Sequence, residues 1–343
     1  MRKLLNTLYV TSEDAHLGRE RENVLIYIGD EVRFRIPVHN LESIVTFGYT
    51  GASPALMHLC AERGVSLSFM TPSGRLLARV SPSTKGNVLL RRRQYGLSDD
   101  LCESAELGCS FVLGKILNSR TVLRRFLRDH GERDGQEHIS RAVQDLTRQI
   151  ERVLITDSLD SLRGIEGEAA RTYYSVFDYL ILESKDVFFF NGRSRRPPLD
   201  YTNAVLSFLY SLLANDCVAA LETVGLDPQV GFLHRIRPGR ASLALDLMEE
   251  LRPYLVDRLT LSLINTRQLD GKDFVTKESG AVLMTDEARK KILDAWQKRK
   301  QQEVIHPYFE ERIEVGLIPY AQSMLLARSI RGDIDGYPPF IMK

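Results

Sequence analysis

Cysteine is scarce in this sequence of 343 residues. The four cysteines, Cys60, Cys102, Cys109 and Cys217, lie far apart in the chain, and no two of them form a CxxC pair. This spacing argues against a zinc ribbon and against a fold held together by disulfide bonds. It fits a protein that works in a reducing compartment, so we expect a cytoplasmic location.

Long apolar runs and common hydrolase motifs are also missing. No uninterrupted apolar run approaches the ~18 residues of a transmembrane helix. The two cations near the N-terminus are not followed by the apolar segment and small-residue cleavage site of a signal peptide. The motifs GxSxG and HExxH and the P-loop pattern do not occur, which disfavours a small-molecule hydrolase built on them. Because the sequence has neither a transmembrane run nor a signal peptide, we expect no membrane partner.

The chain also lacks a strong excess of charge, since its formal net charge is only +1. No overall field therefore points to a nucleic-acid partner, and any DNA site has to come from local basic clusters. The composition, with 43% hydrophobic and 27% charged residues, is that of a folded globular protein. The length indicates two domains.

The first part of the chain has the β-rich runs and turn residues of short strands. Gly29-Asp30 joins two such runs as a hairpin, and Ser53 with Pro54 begins a helix that ends near Arg63. The predicted strands cover residues 4–10, 23–28, 31–36, 41–47, 65–70 and 75–80. We predict a small β-rich domain over residues 1–85, in which His39 and His58 have structural roles.

The pattern becomes helical from about residue 87. The predicted helices include residues 101–127, 138–154, 201–213, 216–224 and 242–251, with a loop over 129–137 and a strand-like interruption near 273–284. The fold class is therefore α+β, a small N-terminal β-rich domain followed by a larger, all-helical domain over residues 86–330 and an irregular tail over 331–343. The arginines near residues 92 and 124 are equally consistent with a DNA-binding surface and with a solvated helix face. The basic run at 298–300 is expected to be a solvated face.

A glycine-containing helix is predicted from about Ser158. Gly164 and Gly167 lie on either side of Glu166, although glycine in a helix costs up to about 1 kcal/mol relative to alanine. This pattern indicates either a helix packed tightly against a neighbour or a backbone brought close to a ligand. Glu166 and Glu168 leave the helix roughly 200° apart, so they cannot serve the same site.

The segment LHRIRPGRASLALDLMEELRP at 233–253 combines a basic loop with an acidic helix. His234 stands among arginines, and Ser242 is the expected N-cap of a helix that Pro253 ends. Asp246 and Glu249 leave this helix about 60° apart and away from its leucine stripe. Imidazole and carboxylate groups suit a divalent metal such as Mg²⁺ or Mn²⁺. An ordinary amphipathic helix with acids on its wet face remains the alternative.

Three blocks of sequence together resemble a known family. They are GIEGEAARTYY at 164–174, PLDYTNAVLSFLYSLL at 198–213 and GFLHRIRPGRASLALDLMEELRP at 231–253. In this order they resemble the CRISPR-associated integrase, the nuclease of the spacer-acquisition complex and the first of the two adaptation proteins. The resemblance implies a metal-dependent DNA endonuclease and integrase that inserts foreign DNA spacers into a CRISPR array. It also agrees with a β-rich domain followed by a helical catalytic domain.

The resemblance also implies the site residues. It makes Glu166, His234 and Glu249 the ligands of Mg²⁺ or Mn²⁺, and Asp246 a further acidic residue of the catalytic site. Many relatives have aspartate at the position of Glu249, and glutamate reaches one methylene further. Arg237 and Arg240 are the candidates for neutralising DNA phosphates.

The partners implied by the resemblance are nucleic acid and protein. They are double-stranded DNA, as prespacer and as CRISPR repeat and leader, a second copy of the chain bound through the β-rich domains, and a smaller second adaptation protein. Two alternatives stay open on the residues alone. One is a metal-independent DNA-binding scaffold, and the other is a helical interaction protein with no role in nucleic-acid binding.

Overall fold

The computed structural model of the protein describes residues 6–12, 14–49, 51–80, 87–131 and 133–342. Within these ranges a β-sheet region is followed by a mostly helical domain, which confirms the predicted α+β class. The predicted domain boundary falls at residues 81–86, outside the described residues. The start of the first predicted strand, at Leu4 and Leu5, also lies outside them.

Two four-stranded sheets build the N-terminal region. The strands are β1 (Asn6–Val10), β2 (Ala15–Glu20), β3 (Asn23–Ile28), β4 (Glu31–Pro37), β5 (Leu41–Phe47), β6 (Gly51–Ala52), β7 (Ser66–Met70) and β8 (Leu76–Val80). The first sheet has the order β1-β5-β7-β8, with only β8 antiparallel to its neighbour. The second has the order β4-β3-β2-β6 and contains the predicted hairpin. Strand β2 was not predicted, because its sequence AHLGRE lacks a β-rich run.

Helix α1 (Pro54–Arg63) packs against this pair of sheets. The Ser53 hydroxyl accepts a hydrogen bond from the Leu56 amide, and Gly64 ends the helix with a positive φ of 71°. Both features confirm the predicted helix. Strand β5 is buried on both faces: Ile44 belongs to the core of the N-terminal region, whereas Val45 and Phe47 belong to the core of the helical domain. The two regions therefore share a strand.

Nine further helices form the described part of the second domain. They are α2 (Val88–Asp99), α3 (Leu101–His130), α4 (Gln136–Ile155), α5 (Leu159–Ser175), α6 (Tyr201–Val224), α7 (Ser242–Leu251), α8 (Arg258–Asn265), α9 (Asp286–Gln301) and α10 (Ile318–Arg331). The predicted loop over 129–137 is shorter than expected, because α3 continues to His130. In the described residues two short hairpins interrupt the helices. The first, β9 (Phe274–Thr276) with β10 (Val282–Met284), lies at the predicted strand-like interruption. The second, β11 (Glu303–Ile305) with β12 (Arg312–Glu314), was not predicted.

Helix α6 is a long, largely buried helix of this domain and is continuous where two helices were predicted. Asp200 caps it by accepting a hydrogen bond from the Asn203 amide at 2.6 Å. By length and composition alone it could cross a membrane, but 67% of its most apolar window is buried inside the protein. Such burial is what a core helix of a folded domain shows.

Buried polar contacts join the two domains. Lys300 is 5% exposed, and its ammonium lies 3.2 Å from the Thr7 hydroxyl and 3.3 Å from Asp216. The prediction that residues 298–300 form a solvated face is therefore wrong for Lys300. The reason is that α9 turns this residue toward β1 and α6. Arg289 of α9 also donates a hydrogen bond to the Pro72 carbonyl in the β7–β8 turn at 3.0 Å.

The described part of the C-terminal tail, residues 332–342, has no regular secondary structure, as predicted, but it is packed into the core. Glu250 of α7 accepts hydrogen bonds from the Tyr337 hydroxyl at 2.6 Å and from the Phe340 amide at 2.8 Å. Asn118 of α3 accepts from the Met342 amide at 2.8 Å. A Cβ on Gly114 would lie 2.8 Å from the Glu250 Cβ, so this glycine permits the close approach of α3 and α7.

Candidate functional site

The loop before α7 is organised by the Asp246 carboxylate. Asp246 is fully buried and accepts hydrogen bonds from the amides of Phe232, Leu233 and His234 at 2.7, 3.0 and 2.9 Å. It also lies 2.6 Å from Nδ1 of His234. A Cβ on Gly231 would approach the Asp246 oxygen to 2.7 Å, so the loop needs glycine there. This arrangement fixes the His234 ring with Nε2 facing away from Asp246.

Helix α7 is enclosed by its neighbours. Asp246, Glu249 and Glu250 are 0%, 2% and 0% exposed, because α7 packs between α3, α6 and α10. The alternative of an amphipathic helix with acids on a wet face is therefore wrong. Each acid instead has its own partners, and Glu250 bonds to the tail. Burial raises the pKa of Glu250 to about 7.

The two ends of α7 also differ from the sequence-based expectations. Ala241, not Ser242, occupies the N-cap position, and the Ser242 hydroxyl instead donates to the Arg235 carbonyl at 3.2 Å. Pro253 does not end the helical path, because a π-helical turn over Arg252–Asp257 continues into α8. The wider π turn accommodates a proline that lacks an amide hydrogen. It places Arg252 within 3.0 Å of the Glu249 carboxylate.

Glu166 on α5 is brought to α7 by contacts between α5 and the loop before α7. Arg163 donates a hydrogen bond to the Leu233 carbonyl at 2.7 Å, which holds the two segments together. Glu168 points elsewhere and pairs with Arg152 at 2.6 Å. The prediction that Glu166 and Glu168 serve different places is therefore confirmed.

Lys115 of α3 lies between the two glutamates. Its ammonium forms a hydrogen-bonded ion pair with Glu166 and lies 2.7 Å from Oε2 of Glu249. The other oxygen of Glu249 lies 3.7 Å from Nε2 of His234. Burial by itself would lower the pKa of Lys115, but the carboxylates of Glu249 and Glu166 raise it. Arg252 and Lys115 likewise hold the pKa of Glu249 well below its usual value, against the opposing effect of burial.

The donor set of this cluster suits a hard divalent cation. Two carboxylates and one imidazole are ligand types that Mg²⁺ and Mn²⁺ accept. A histidine whose Nδ1 faces a carboxylate is the usual arrangement behind a metal-ligating Nε2. Glu249 Oε2 is buried, and its charged neighbour is the Lys115 ammonium at 2.7 Å. With Lys115 between the glutamates, no group of three His, Cys, Asp or Glu side chains in the described ranges is close enough to hold a metal ion as it stands.

A cleft of about 1650 Å³ opens beside this cluster. Glu166 is its only acidic lining residue within the described part of the chain, and Lys115 also lines it. The lining arginines are Arg75, Arg79, Arg171, Arg193, Arg195, Arg196, Arg240, Arg252 and Arg289. Arg240 therefore faces the cleft, whereas the exposed Arg237 does not line it. Burial and the nearby Arg237 lower the pKa of Arg240.

Comparison with known proteins identifies the family. The family model described as CRISPR associated protein Cas1 matches residues 8–298. This chain belongs to the Cas1 family. Proteins named CRISPR-associated endonuclease Cas1 from Rhodospirillum rubrum and Chlorobaculum tepidum are 52% and 50% identical to it, each over 100% of both chains.

Solved structures agree with the Cas1 fold. A casposase bound to integration product has a TM-score of 0.85 at 21% identity and covers 99% of this chain and 95% of its own. A Cas1 protein from Thermotoga maritima has a TM-score of 0.81 at 23% identity, with coverage of 96% and 97%. A Cas6-RT-Cas1–Cas2 complex has a TM-score of 0.82 at 22% identity, with coverage of 99% of this chain and 36% of the other.

Two features of this Cas1 chain differ from the sequence-based expectations. The tight-packing interpretation of Gly164 and Gly167 is wrong, because a Cβ at either position would meet no heavy atom within 4 Å. Gly167 instead lines the cleft. Lys115 was missed altogether. The available signal was one cation inside the apolar helical run FVLGKILNS, a position where an unpaired charge would be costly.

Proposed function

We propose that this Cas1 protein is a divalent-metal-dependent DNA endonuclease and integrase that inserts spacers into a CRISPR array. The observation that carries the proposal is the convergence of Glu166, Glu249 and an Asp246-oriented His234 beside an arginine-lined cleft. The names of its close relatives support nuclease activity, and the fold shared with a casposase bound to integration product supports strand joining.

Glu166, Glu249 and Nε2 of His234 would hold the Mg²⁺ or Mn²⁺ ion. When bound, such an ion lowers the pKa of an attacking hydroxyl, polarises a phosphoryl oxygen and aligns the two. Asp246 is a positioning residue in this proposal. It has no exposed surface and its oxygens are occupied by the loop amides and by Nδ1 of His234. Its carboxylate keeps the proton on Nδ1, so that the lone pair is on Nε2.

The cleft would hold the DNA strand with its phosphates against arginines. Arg240 lines the cleft next to the cluster, and Arg237 extends the basic surface outside it. In integration, the 3′-hydroxyl of the incoming DNA loses its proton and attacks a phosphodiester of the CRISPR repeat. One phosphorus–oxygen bond forms, another breaks, and the repeat strand leaves with its own 3′-hydroxyl. Attack by water on the same phosphorus gives plain cleavage, and reversal of integration resolves branched DNA.

A strand-transfer assay with the His234→Ala variant tests this proposal. We expect the variant to fold and to lose strand joining and cleavage in Mn²⁺, because Nε2 of His234 is removed while Asp246 keeps its three amide partners. EDTA should abolish the activity of the unmodified protein. Full activity in EDTA would contradict the metal-dependent mechanism. DNA binding that EDTA does not affect, with no cleavage or joining in Mn²⁺, would favour the metal-independent DNA-binding scaffold.

We also propose the protein partners implied by the family. The Cas6-RT-Cas1–Cas2 structure contains Cas2, and we propose an equivalent small second adaptation protein, in a cytoplasmic complex, for this chain. We propose that the homodimer forms through the β-rich region. In support, β4 is an edge strand whose Val32 and Phe34 are 46% and 60% exposed, and exposed apolar edge strands favour pairing. Light scattering of a Phe34→Glu variant should show a loss of dimer.

A further inference from the structure

A buried lysine sits at the place where the proposed metal would bind. Lys115 is 8% exposed and its ammonium contacts both Glu166 and Glu249. These are the two carboxylates that the proposed function assigns to the metal. The ammonium lies between the two carboxylates, which is the space that a metal ion bound by both would occupy.

We propose that Lys115 is an internal counter-ion that competes with the divalent metal for Glu166 and Glu249. In the metal-free protein its ammonium neutralises the two carboxylates and holds them together. Metal binding displaces the ammonium into the cleft, which Lys115 already lines. The inference rests on the proposed metal site and adds a residue that sets how readily that site fills.

Glu249 is buried and therefore needs a cation close to its carboxylate. Glu249 is 2% exposed and does not line the cleft, whereas Glu166 and Lys115 do. An isolated buried carboxylate is costly, so the site needs a cation before any metal arrives. A metal that enters from the cleft and reaches Glu249 therefore has to replace the Lys115 ammonium.

Two cations, Lys115 and Arg252, contact the Glu249 carboxylate. Arg252 also contacts Glu249, at 3.0 Å, and stacks on the Tyr210 ring with 5.2 Å to the centroid. Both cations line the cleft, but the guanidinium of Arg252 is also held by its packing against Tyr210. Of the two cations on Glu249, Lys115 is therefore the one that can leave.

Equilibrium binding of Mn²⁺ to the metal-free full-length protein tests the competition. In Lys115→Met the carboxylates lose their counter-ion and the metal no longer has a competitor. Because coupling between competing ligands commonly changes affinity by roughly 5- to 150-fold, we expect Mn²⁺ to bind about tenfold tighter by calorimetry. The variant should also melt at a lower temperature in EDTA and show a larger stabilisation on adding Mn²⁺ than the unmodified protein.

Lys300→Met is the matched control. Lys300 is equally buried and paired with Asp216, but it lies at the domain junction. Its removal should lower the melting temperature without changing Mn²⁺ affinity. If Lys115 instead supports the ligands in the metal-bound state, Lys115→Met will bind Mn²⁺ with equal or weaker affinity, and this result would overturn the proposal.

A measurement on the unmodified protein covers the case in which Lys115→Met does not fold. Acylation of lysines by an N-hydroxysuccinimide ester, followed by peptide mass spectrometry, reports whether the ammonium is engaged. Mn²⁺ should increase labelling of Lys115 and leave Lys300 unchanged; no increase at Lys115 in protein that binds Mn²⁺ would refute displacement. Failure of the proposed function looks different, because the unmodified protein and Lys115→Met would then both bind no Mn²⁺.

Discussion

Asp246→Asn is the substitution that best tests how the site is built. The carboxylate accepts hydrogen bonds from the amides of Phe232, Leu233 and His234 and orients Nδ1 of His234. Asparagine has the same shape but only one oxygen. If that oxygen faces Phe232 and Leu233, its amide nitrogen faces the His234 amide hydrogen, and the hydrogen bond from that amide is lost.

The magnitude follows from the energy of that bond. A hydrogen bond to a charged group contributes about 1.5–3 kcal/mol, so losing it lowers the free energy of unfolding by about 1.5–3 kcal/mol. The asparagine amide would also donate to Nδ1 of His234 and so leave the proton on Nε2. That is the wrong tautomer for a metal ligand, and loss of such a supporting group costs about 10- to 100-fold in metal affinity.

Two assays on the same variants separate these effects. Urea denaturation in EDTA measures stability, and calorimetric titration with Mn²⁺ measures affinity. His234→Ala is the matched comparison, because it removes the imidazole while leaving the loop amides on Asp246. It should lose Mn²⁺ affinity and little stability, whereas Asp246→Asn should lose both. An Asp246→Asn protein as stable as the unmodified one, with unchanged Mn²⁺ affinity, would refute this account.

Three further predictions follow from other parts of the structure. Gly167→Ala should raise the free energy of unfolding by about 0.5–1 kcal/mol in urea, since its Cβ meets no atom within 4 Å; a destabilised variant would contradict this. Burial lowers the pKa of His306 to about 4 and raises that of Glu250 to about 7. Between pH 4.5 and 6.5 the unfolded chain therefore binds more protons at His306 and fewer at Glu250, so His306 makes stability rise with pH and Glu250 makes it fall. In EDTA, Glu250→Gln should make stability increase with pH by about 2 kcal/mol over this window relative to the unmodified protein, and an unchanged profile would refute the assignment. Arg240→Ala should weaken DNA binding about uniformly across sequences and reduce the salt dependence by roughly one phosphate contact; a gel-shift series at several salt concentrations checks this, with the more exposed Arg237→Ala for comparison.

Local sequence patterns were sufficient for the elements that carry strong local signals. The hairpin at Gly29-Asp30, the Ser53 and Asp200 caps and the apolar helix after Asp200 are set by residues within a few positions of each other. Such signals act through backbone conformation and short-range hydrogen bonds, so they can be recognised without knowing which elements pack together. The ends of α7 were missed because Ser242 and Pro253 have partners or geometry that these local rules do not include.

The sequence by itself determined the α+β organisation, and through the family resemblance it indicated the candidate set Glu166, His234, Asp246 and Glu249. Only the tertiary structure decided how these side chains are paired and supported. Lys115 lies 51 residues from Glu166 in the chain, and Glu250 meets the tail 90 residues later at Phe340. Pairing over such distances along the chain depends on how the helices pack around a buried charge. The periodicity of the sequence does not predict this packing.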